Sequence, residues 1–255
     1  MEKIKKVLFP FLIPVIVLAA WIYATQLGKV PSSLLPGVSS VGEAFKRQIE
    51  NGQLIQDLGV SLGRVVKGYA ISIILGILLG ALMGMSKSMW HLFHGVTTTI
   101  RQIPMMAWIP MIILWCGIKE LSKVVIIVIA AFFPIMTNTL GGISSTPKEY
   151  IEVAKLYKLS RWKTFTKVYL PHAIPQIFVG LKLGLGTSWM AVVAAELIAS
   201  VSGIGYRLSD ARNMMRSDVM IVCMIIIGLV GALMDKIITL LFGVLTPWEK
   251  KGKAV

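Results

Sequence analysis

Glu196 is the side chain with the clearest chemical potential, because it is an acid inside the apolar run Ala194-Ala-Glu-Leu-Ile198. A carboxylate in an apolar membrane interior is costly, so it needs either a cavity or a partner. In a cavity it could contact a transported molecule. Alternatively, it could cap the turn Ser202-Gly-Ile-Gly205 or hold a neighbouring helix. The sequence leaves both alternatives open.

Histidine, glycine and lysine supply no second chemical site. His91 and His94 could share one face of a helix, but a metal site needs a third ligand that the sequence does not place nearby. Residues 80–88 contain glycines followed by lysine and serine, yet Gly84 and Lys87 are not adjacent, as a phosphate-binding P-loop requires. We therefore predict that the chain has no catalytic residues, binds no metal or cofactor and carries no ATPase of its own.

The composition places the chain in a lipid bilayer. Of its 255 residues, 56% are hydrophobic, and the mean hydropathy is +0.77, far above that of a soluble domain. Long apolar runs recur between polar segments, as in proteins that cross the membrane several times. We predict an all-α fold, a polytopic membrane bundle of about six transmembrane helices. The apolar blocks are residues 7–27, 62–85, 103–117, 124–140, 183–200 and 219–245.

The polar segments divide the chain into three regions. Residues 1–60 are predicted to hold the first transmembrane helix and an external loop with an amphipathic piece at 41–49. Residues 61–245 form a core of five transmembrane helices, and residues 246–255 form a basic tail. The net charge is +14, but the basic residues are spread over loops between apolar blocks, which argues against nucleic acid as a partner.

Small residues and prolines mark the helices that we expect to pack closely or to line a pathway. Gly76, Gly80 and Gly84 recur every four residues, a spacing that lets another helix approach, although glycines are also simply tolerated in spans. Pro104 and Pro134 free backbone carbonyls that a packing partner or a water-filled cavity must satisfy. Kinking alone is the alternative. The candidate residues for a translocation pathway are Pro104, Met105, Trp108, Ser188 and Glu196.

A cationic segment, residues 146–181, interrupts the apolar blocks. Thr146 is followed by proline and, three residues after it, by glutamate, a pattern typical of a helix start with Thr146 as the cap. Ser160 can cap a second helix that carries a stripe of aromatic residues, and Pro171 and Pro175 are expected to end it. The segment is therefore predicted to form two short helices at an angle, with aromatic side chains on one face and positive charge on the other.

The spacing within this segment resembles the Glu-Ala-Ala loop of permease subunits of ATP-binding-cassette importers. The family pattern is Glu-Ala-Ala, three residues, glycine, nine residues and Ile-x-Leu-Pro, and this chain keeps every interval. The residues at the matching positions are Glu152, Ala154, Lys158, Leu170 and Pro171. The departures are Val153, Val168 and Lys158. The resemblance implies that residues 146–181 form a cytoplasmic coupling loop, which inserts into a groove of a separate ATPase and transmits its closure.

Lys158 is the departure with the largest consequence. The family glycine lies at the bend between the two helices, where a residue with a Cβ is disfavoured by about 1–2 kcal/mol if the bend is left-handed. Either the bend differs in this chain or Lys158 carries that strain. We expect Trp162 and Phe165 to be buried in the ATPase groove or against the chain's own helices, and Arg161 to pair with an acid across that contact.

The resemblance extends over most of the chain, to permeases for aliphatic sulfonates, taurine and nitrate. It implies a homodimer of permease subunits, two partner ATPases that bind ATP and Mg, and an external solute-binding protein. Gly203 and Gly205 form the expected gate turn. The implied cargo is a small anion, an aliphatic sulfonate or taurine, with nitrate, bicarbonate or a vitamin precursor as the alternative. The stretches that carry the resemblance begin at Leu35, Ser61, Arg101, Ile113, Phe132, Asn138, Ala195 and Ser202.

The distribution of charge predicts the orientation. With the N-terminus inside and six spans, inner segments hold 15 of the 26 lysines and arginines, so the coupling loop and both termini are predicted to lie on the cytoplasmic side of a bacterial inner membrane. A secondary transporter or channel would need intramembrane charges along a pathway, and only Glu196, Asp235 and Lys236 qualify. A membrane enzyme would need a constellation of reactive side chains. We therefore expect a transport subunit and not an enzyme.

Overall fold

The computed structural model describes residues 2–27 and 31–246, and every regular element in that part of the chain is helical. The predicted all-α fold is confirmed. The tail predicted at 246–255 lies outside the described residues apart from Thr246. The elements are α1 (Glu2–Gln26), α2 (Val38–Glu50), α3 (Gln53–Met85), α4 (Lys87–Ile100), α5 (Met105–Cys116), α6 (Glu120–Ser144), α7 (Lys148–Leu156), α8 (Arg161–Thr164), a π-helix (Phe165–Tyr169), α9 (Leu170–Ala199), α10 (Ile204–Asn213) and α11 (Ser217–Leu245).

Four helical stretches in the described residues are long and apolar enough to cross a membrane: α3, α6, the continuous helix from α8 through α9, and α11. A fifth span is possible if α4 and α5, which meet at 97°, together form one broken crossing. The apolar stretch Leu12–Gln26 of α1 is shorter than these. This polytopic bundle agrees with the predicted architecture, although the block predicted at 103–117 is a short helix joined to α4.

The bend between α4 and α5 has a local cause. Between the apolar blocks predicted at 62–85 and 103–117, Ser86 caps a helix by accepting a hydrogen bond from the Met89 N–H at 3.4 Å. Pro104 then disfavours helical geometry at the residue before it, and α5 begins directly after it. The two helices consequently leave a polar connection, residues 101–104, between them.

Glycines let α3 and α9 pack closely against α6, which lies between them. A Cβ added at Gly76, Gly80 or Gly84 of α3 would lie 2.9, 2.6 and 2.7 Å from the nearest atom of α6. On the opposite side, a Cβ at Gly180 or Gly184 of α9 would lie 2.8 and 2.9 Å from α6. These distances leave no room for a larger residue. The glycines therefore set the separation of the three central helices.

Gly80 is the position where this packing is easiest to test. Its nearest α6 neighbour is the backbone carbonyl oxygen of Met136, which cannot rotate away, so Gly80→Ala must push the helices apart. Overpacking of this kind costs about 1–3 kcal/mol. We expect the melting temperature of the purified protein to fall by several degrees, whereas Gly63→Ala, on the same helix with open space around it, should not lower it. Equal melting temperatures for the two variants would contradict the packing.

Pro134 ties α6 to α9. A proline cannot donate to the carbonyl four residues before it, which here is that of Ala130. The Thr187 hydroxyl of α9 donates to this oxygen at 3.0 Å, and the Asn138 side-chain amide donates to the Pro134 carbonyl at 2.8 Å. The helix therefore crosses the apolar region without leaving these carbonyls unpaired.

The bundle has two ends, which carry different elements. The loop end carries α7 and α8, and the far end carries α2 and α10. The predicted amphipathic piece corresponds to α2, whose Val41 and Ala44 are buried. Arg47 of α2 donates to Asp218 at the start of α11 at 3.3 Å. α2 is thus held against the far end of the core.

Candidate functional site

Glu196 lies in α9 at the far end of the bundle and is only 1% exposed. Its carboxylate accepts a hydrogen bond from Arg64 Nη1 at 2.7 Å, from the Ser61 hydroxyl at 2.8 Å and from the Gly205 N–H at 2.9 Å. These are the contacts of the second sequence alternative, in which the carboxylate caps the following turn and holds a neighbouring helix. It does not face an open cavity.

Arg64 of α3 is the hub of this arrangement and is 3% exposed. Besides Glu196, its guanidinium donates to Glu120 of α6, with Nε at 2.8 Å, and to the Ser202 carbonyl at 2.8 Å. A single buried cation therefore joins α3, α6 and α9 to the turn before α10. The polar side chains of this far-end ion cluster are Asp57, Ser61, Arg64, Glu120, Glu196 and Arg207.

The predicted gate turn is capped by the same cluster. The N–H groups of residues 203–205, at the start of α10, donate to Asp57, Ser61 and Glu196, each at 2.9 Å. Gly203 has a φ of +109°, and a Cβ there would lie 2.3 Å from the Glu196 carboxyl carbon. Only glycine satisfies both demands. The turn is thus a rigid joint whose donors come from one helix and whose acceptors come from two others.

The coupling loop bends at Lys158, whose φ is +47°. The Leu159 N–H reaches back to the Ala154 carbonyl at 3.0 Å, which closes α7 with the left-handed motif that usually ends in glycine. Ser160 then caps α8 by accepting from the Lys163 N–H at 3.3 Å. Of the two sequence alternatives, the bend is left-handed and Lys158 carries the strain.

Replacing Lys158, at the bend, and Lys155, within α7, by glycine is predicted to change stability in opposite directions. Lys158→Gly removes the Cβ penalty at a positive φ and should raise stability by up to about 1 kcal/mol after the entropy of glycine is counted. Lys155→Gly, within α7, should lower stability by about 1 kcal/mol. Hydrogen exchange at the Leu159 amide is the local measurement. Slower exchange in Lys155→Gly than in Lys158→Gly would contradict the strained bend.

Two details of the predicted loop are wrong. Thr146 makes no side-chain cap, because α7 begins one residue later than the pattern suggested, after Pro147. Pro171 and Pro175 do not end a helix; instead, α8, the π-helix and α9 run on as one. The wide π-turn directly before Pro171 accommodates the proline ring, which would clash with a carbonyl in a regular α-helix. The loop is therefore directly continuous with a membrane span.

The two predicted aromatic anchors of the coupling loop face different surroundings. Phe165 is half-buried and packs in a cluster formed by the loop ends of α3, α6 and α9, and Ala154 is 3% exposed. Trp162 is 72% exposed, although its ring lies 5.7 Å from that of Phe165. The chain's own helices thus hold Phe165, whereas Trp162 is free to meet a partner.

The outer face of the coupling loop combines apolar and charged side chains without internal partners. Glu152 and Arg161 are exposed, and neither forms a salt bridge within the part of the chain that the structure describes. Large apolar side chains stand beside them: Tyr150, Val153, Leu156, Tyr157 and Trp162. Such a surface is typical of a protein contact.

A cavity of about 570 Å³, the central cavity, opens beside the bend between α4 and α5. Pro104, Met105 and Trp108 line it, as does the middle of α6 from Ile129 to Asn138. It thus lies midway along a membrane-spanning helix. Of the predicted pathway residues, Ser188 and Glu196 are not on its wall. Ser188 is buried and donates to the Gly184 carbonyl at 2.8 Å.

Comparison with known proteins places the chain in a family. Residues 72–251 match the family model described as the binding-protein-dependent transport system inner membrane component. The chain belongs to this family. It is a multi-pass permease of the ATP-binding-cassette importers, a transport subunit.

Named relatives of the permease cover most of its length. It is 35% identical over 238 residues to a putative aliphatic sulfonates transport permease protein of Bacillus subtilis, covering 93% of this chain and 86% of that one. It is 36% identical over 206 residues to a nitrate import permease protein of Synechocystis, covering 79% and 75%.

Solved structures share the fold of the permease. An inward-facing form of the MetNI methionine ABC transporter aligns with a TM-score of 0.61 at 15% identity, over 75% of this chain and 97% of that one. An amino acid ABC transporter crystallised with histidines aligns with a TM-score of 0.62 at 16% identity, over 78% and 97%. These likenesses support the arrangement of helices.

Sequence reasoning missed most of the far-end ion cluster in the permease. Arg64 lies within the predicted span 62–85, and Glu120 lies just before the span at 124–140, so each carried the signal of an ionisable residue in or beside apolar sequence. Arg101 precedes the apolar block at 103–117, and the structure places it on the wall of the central cavity. The residues that line this cavity together with Arg101 could not be derived from its neighbours in sequence.

Proposed function

We propose that the permease moves a small anion, an aliphatic sulfonate or taurine, into the cell with ATP hydrolysed by a separate ATPase bound at the coupling loop. The observation that carries this proposal is the loop itself. It offers an exposed apolar and charged face whose Glu152 and Arg161 form no salt bridge with the described residues, and it is continuous with α9 through the π-helix. A loop of this kind can dock a partner and pass the partner's movement to a membrane span.

The mechanism follows from the packing around the loop. Phe165 fixes the start of the α8–α9 helix against α3 and α6, and the glycine contacts make the three central helices one packed unit. Closure of an ATPase pair would therefore move these helices together as a rigid body, with the central cavity on their surface. The ion cluster keeps the far ends of the same helices joined during that movement.

The partners of the proposal come from the family and the charge distribution. Two copies of the permease pair with two ATPases, which bind ATP and Mg, and an external binding protein delivers the substrate. The coupling loop and both termini lie on the cytoplasmic side of the inner membrane, and membrane lipid covers the apolar outer faces. The excess of lysine and arginine in the inner segments supports this orientation.

Two relatives support different anions as cargo. The Bacillus subtilis relative is named for aliphatic sulfonates, and the Synechocystis relative is named for nitrate. Nitrate is accordingly the second candidate. Both ions carry oxygens that accept hydrogen bonds from cationic side chains.

A secondary transporter is disfavoured by the intramembrane charges. Glu196 is tied to Arg64, and Asp235 pairs with Lys182 at 3.1 Å, so neither is a free acid on the central cavity. A proton-coupled carrier would need such a group on its pathway.

The experiment that tests the function uses the permease from its native membrane. An ATPase should copurify with it, and calorimetry of the partner binding protein should show binding of taurine or an alkanesulfonate in preference to nitrate. Binding of nitrate alone would replace the main candidate with the second. Proton-driven uptake by the permease without an ATPase would refute the importer mechanism.

A further inference from the structure

Two cavities meet at Arg101 in the permease. The central cavity of about 570 Å³ has Arg101 and Thr137 on its wall, and an adjoining cavity of about 260 Å³ shares both residues. The adjoining cavity continues along α4 and α6 to Ser144, the last residue of α6, at the loop end. The two cavities thus lie next to each other, from the middle of α6 to the end of the bundle that carries the coupling loop.

Arg101 is the one charged side chain among the described residues that line the central cavity. It is exposed and forms no salt bridge within the described ranges, unlike the two arginines of the far-end ion cluster. Arg64 pairs with Glu196 at 2.7 Å, and Arg207 pairs with Asp57 at 2.5 Å. A cation that faces a cavity beside membrane-spanning helices and has no carboxylate partner is a candidate to bind an anionic ligand.

The donors around the junction of the two cavities also favour an anion. The guanidinium offers a planar fork that matches the oxygens of a sulfonate, nitrate or carboxylate. Gln102 lies next to it on the cavity wall, with an amide that no hydrogen bond occupies among the described residues. The hydroxyl of Thr137 is already committed, because it donates to the Phe133 carbonyl at 2.8 Å. Arg101 and the adjacent Gln102 are therefore neighbouring donors on this wall without a partner among the described residues.

We propose that Arg101, with Gln102 beside it, binds the anionic group of the substrate at the junction of the two cavities, next to Thr137 of α6. The adjoining cavity is then the exit groove toward the loop end. This inference rests on the proposed import of an anion and adds the residues that hold the anion during transport. Trp108 and Met105 form the apolar part of the same site, where the organic portion of a sulfonate would lie.

The test measures uptake of labelled taurine, an alkanesulfonate or nitrate by the reconstituted complex, normalised to the amount of assembled complex. Loss of hydrogen bonds to a charged group lowers affinity by about tenfold or more, so Arg101→Gln should reduce uptake at limiting substrate at least tenfold. Arg101→Lys keeps the charge but not the fork and should give an intermediate rate. Arg212→Gln, at an exposed position on α10, is the matched control and should retain wild-type uptake.

A second variant tests the exit groove without changing a charge. Gly141 lines the adjoining cavity, and a Cβ there meets no atom within 4 Å, so Gly141→Phe can be accommodated while filling the groove. It should reduce the maximal rate of uptake. Gly228→Phe, on α11, also begins in open space and should retain the rate.

The outcomes separate this inference from the proposed function. Wild-type complex that imports none of these anions overturns the proposed function. Wild-type import with unchanged uptake in Arg101→Gln overturns the anion site. Unchanged maximal uptake in Gly141→Phe overturns the exit groove.

Discussion

Arg64→Met is expected to prevent the permease from accumulating in the membrane or, where protein is recovered, to lower its stability by about 3–5 kcal/mol. The substitution leaves the Glu196 carboxylate, which is 1% exposed, without its cation. A buried charge without a partner is far more costly than a missing surface charge. The measurement is the melting temperature of the detergent-purified protein, read by intrinsic tryptophan fluorescence. The yield of protein from a fixed amount of membrane is measured alongside it.

Two control variants test whether the loss of stability comes from the unpaired buried charge. Arg64→Met combined with Glu196→Gln removes both buried charges and should recover much of the loss, since Glu120, the other partner of Arg64, has a side chain that is 67% exposed. Arg47→Met breaks the exposed pair with Asp218 and should cost at most about 1 kcal/mol. If Arg64→Met were no more damaging than Arg47→Met, the far-end ion cluster would not be the joint described above.

Reversing two charges on the coupling loop should abolish uptake and leave the fold intact. Glu152 and Arg161 are exposed and pair with nothing in the described part of the permease, so Glu152→Lys with Arg161→Glu should not change the melting temperature. At a partner contact, loss of such a residue costs about 2 kcal/mol or more, which weakens the complex at least about thirtyfold. Copurification of the ATPase and ATP-driven uptake are the two measurements.

The matched control is a double reversal of a charge pair elsewhere. Lys46 and Glu50 lie 3.8 Å apart on α2, and Lys46→Glu with Glu50→Lys keeps the pair while changing the same number of charges. The ATPase should still copurify with this variant. Full uptake by the coupling-loop variant would show that the loop does not transmit the ATPase movement.

The periodic features of the permease were predictable because they are local. Gly76, Gly80 and Gly84 mark a close helix contact by their spacing alone, and the intervals from Glu152 to Pro171 carry the resemblance to the Glu-Ala-Ala loop. Both follow from residues within a few turns of one another. A Cβ added at Gly80 would lie only 2.6 Å from the nearest atom of α6. This close approach is the physical reason for the glycine spacing.

The features that sequence reasoning missed depend on contacts between distant parts of the chain. The partners of Glu196 are Ser61 and Arg64, more than 130 positions earlier, and no local pattern joins them. Pro171 predicts a helix end, because sequence patterns do not show the π-helix that accommodates it in the structure. The place of Arg101 on a cavity wall could not be predicted, since that cavity is lined by residues of four helices, α4, α5, α6 and α9.

The side of the membrane on which the coupling loop lies is the most direct test of the account. Leu156, which is 81% exposed on the loop, can be replaced by cysteine after Cys116 and Cys223 are changed to alanine. An impermeant maleimide should label Leu156→Cys in inverted vesicles and not in intact cells, whereas Met214→Cys, which is 62% exposed at the far end, should be labelled in intact cells. Labelling of Leu156→Cys in intact cells, to the extent seen for Met214→Cys, would contradict the coupling of this permease to a cytoplasmic ATPase.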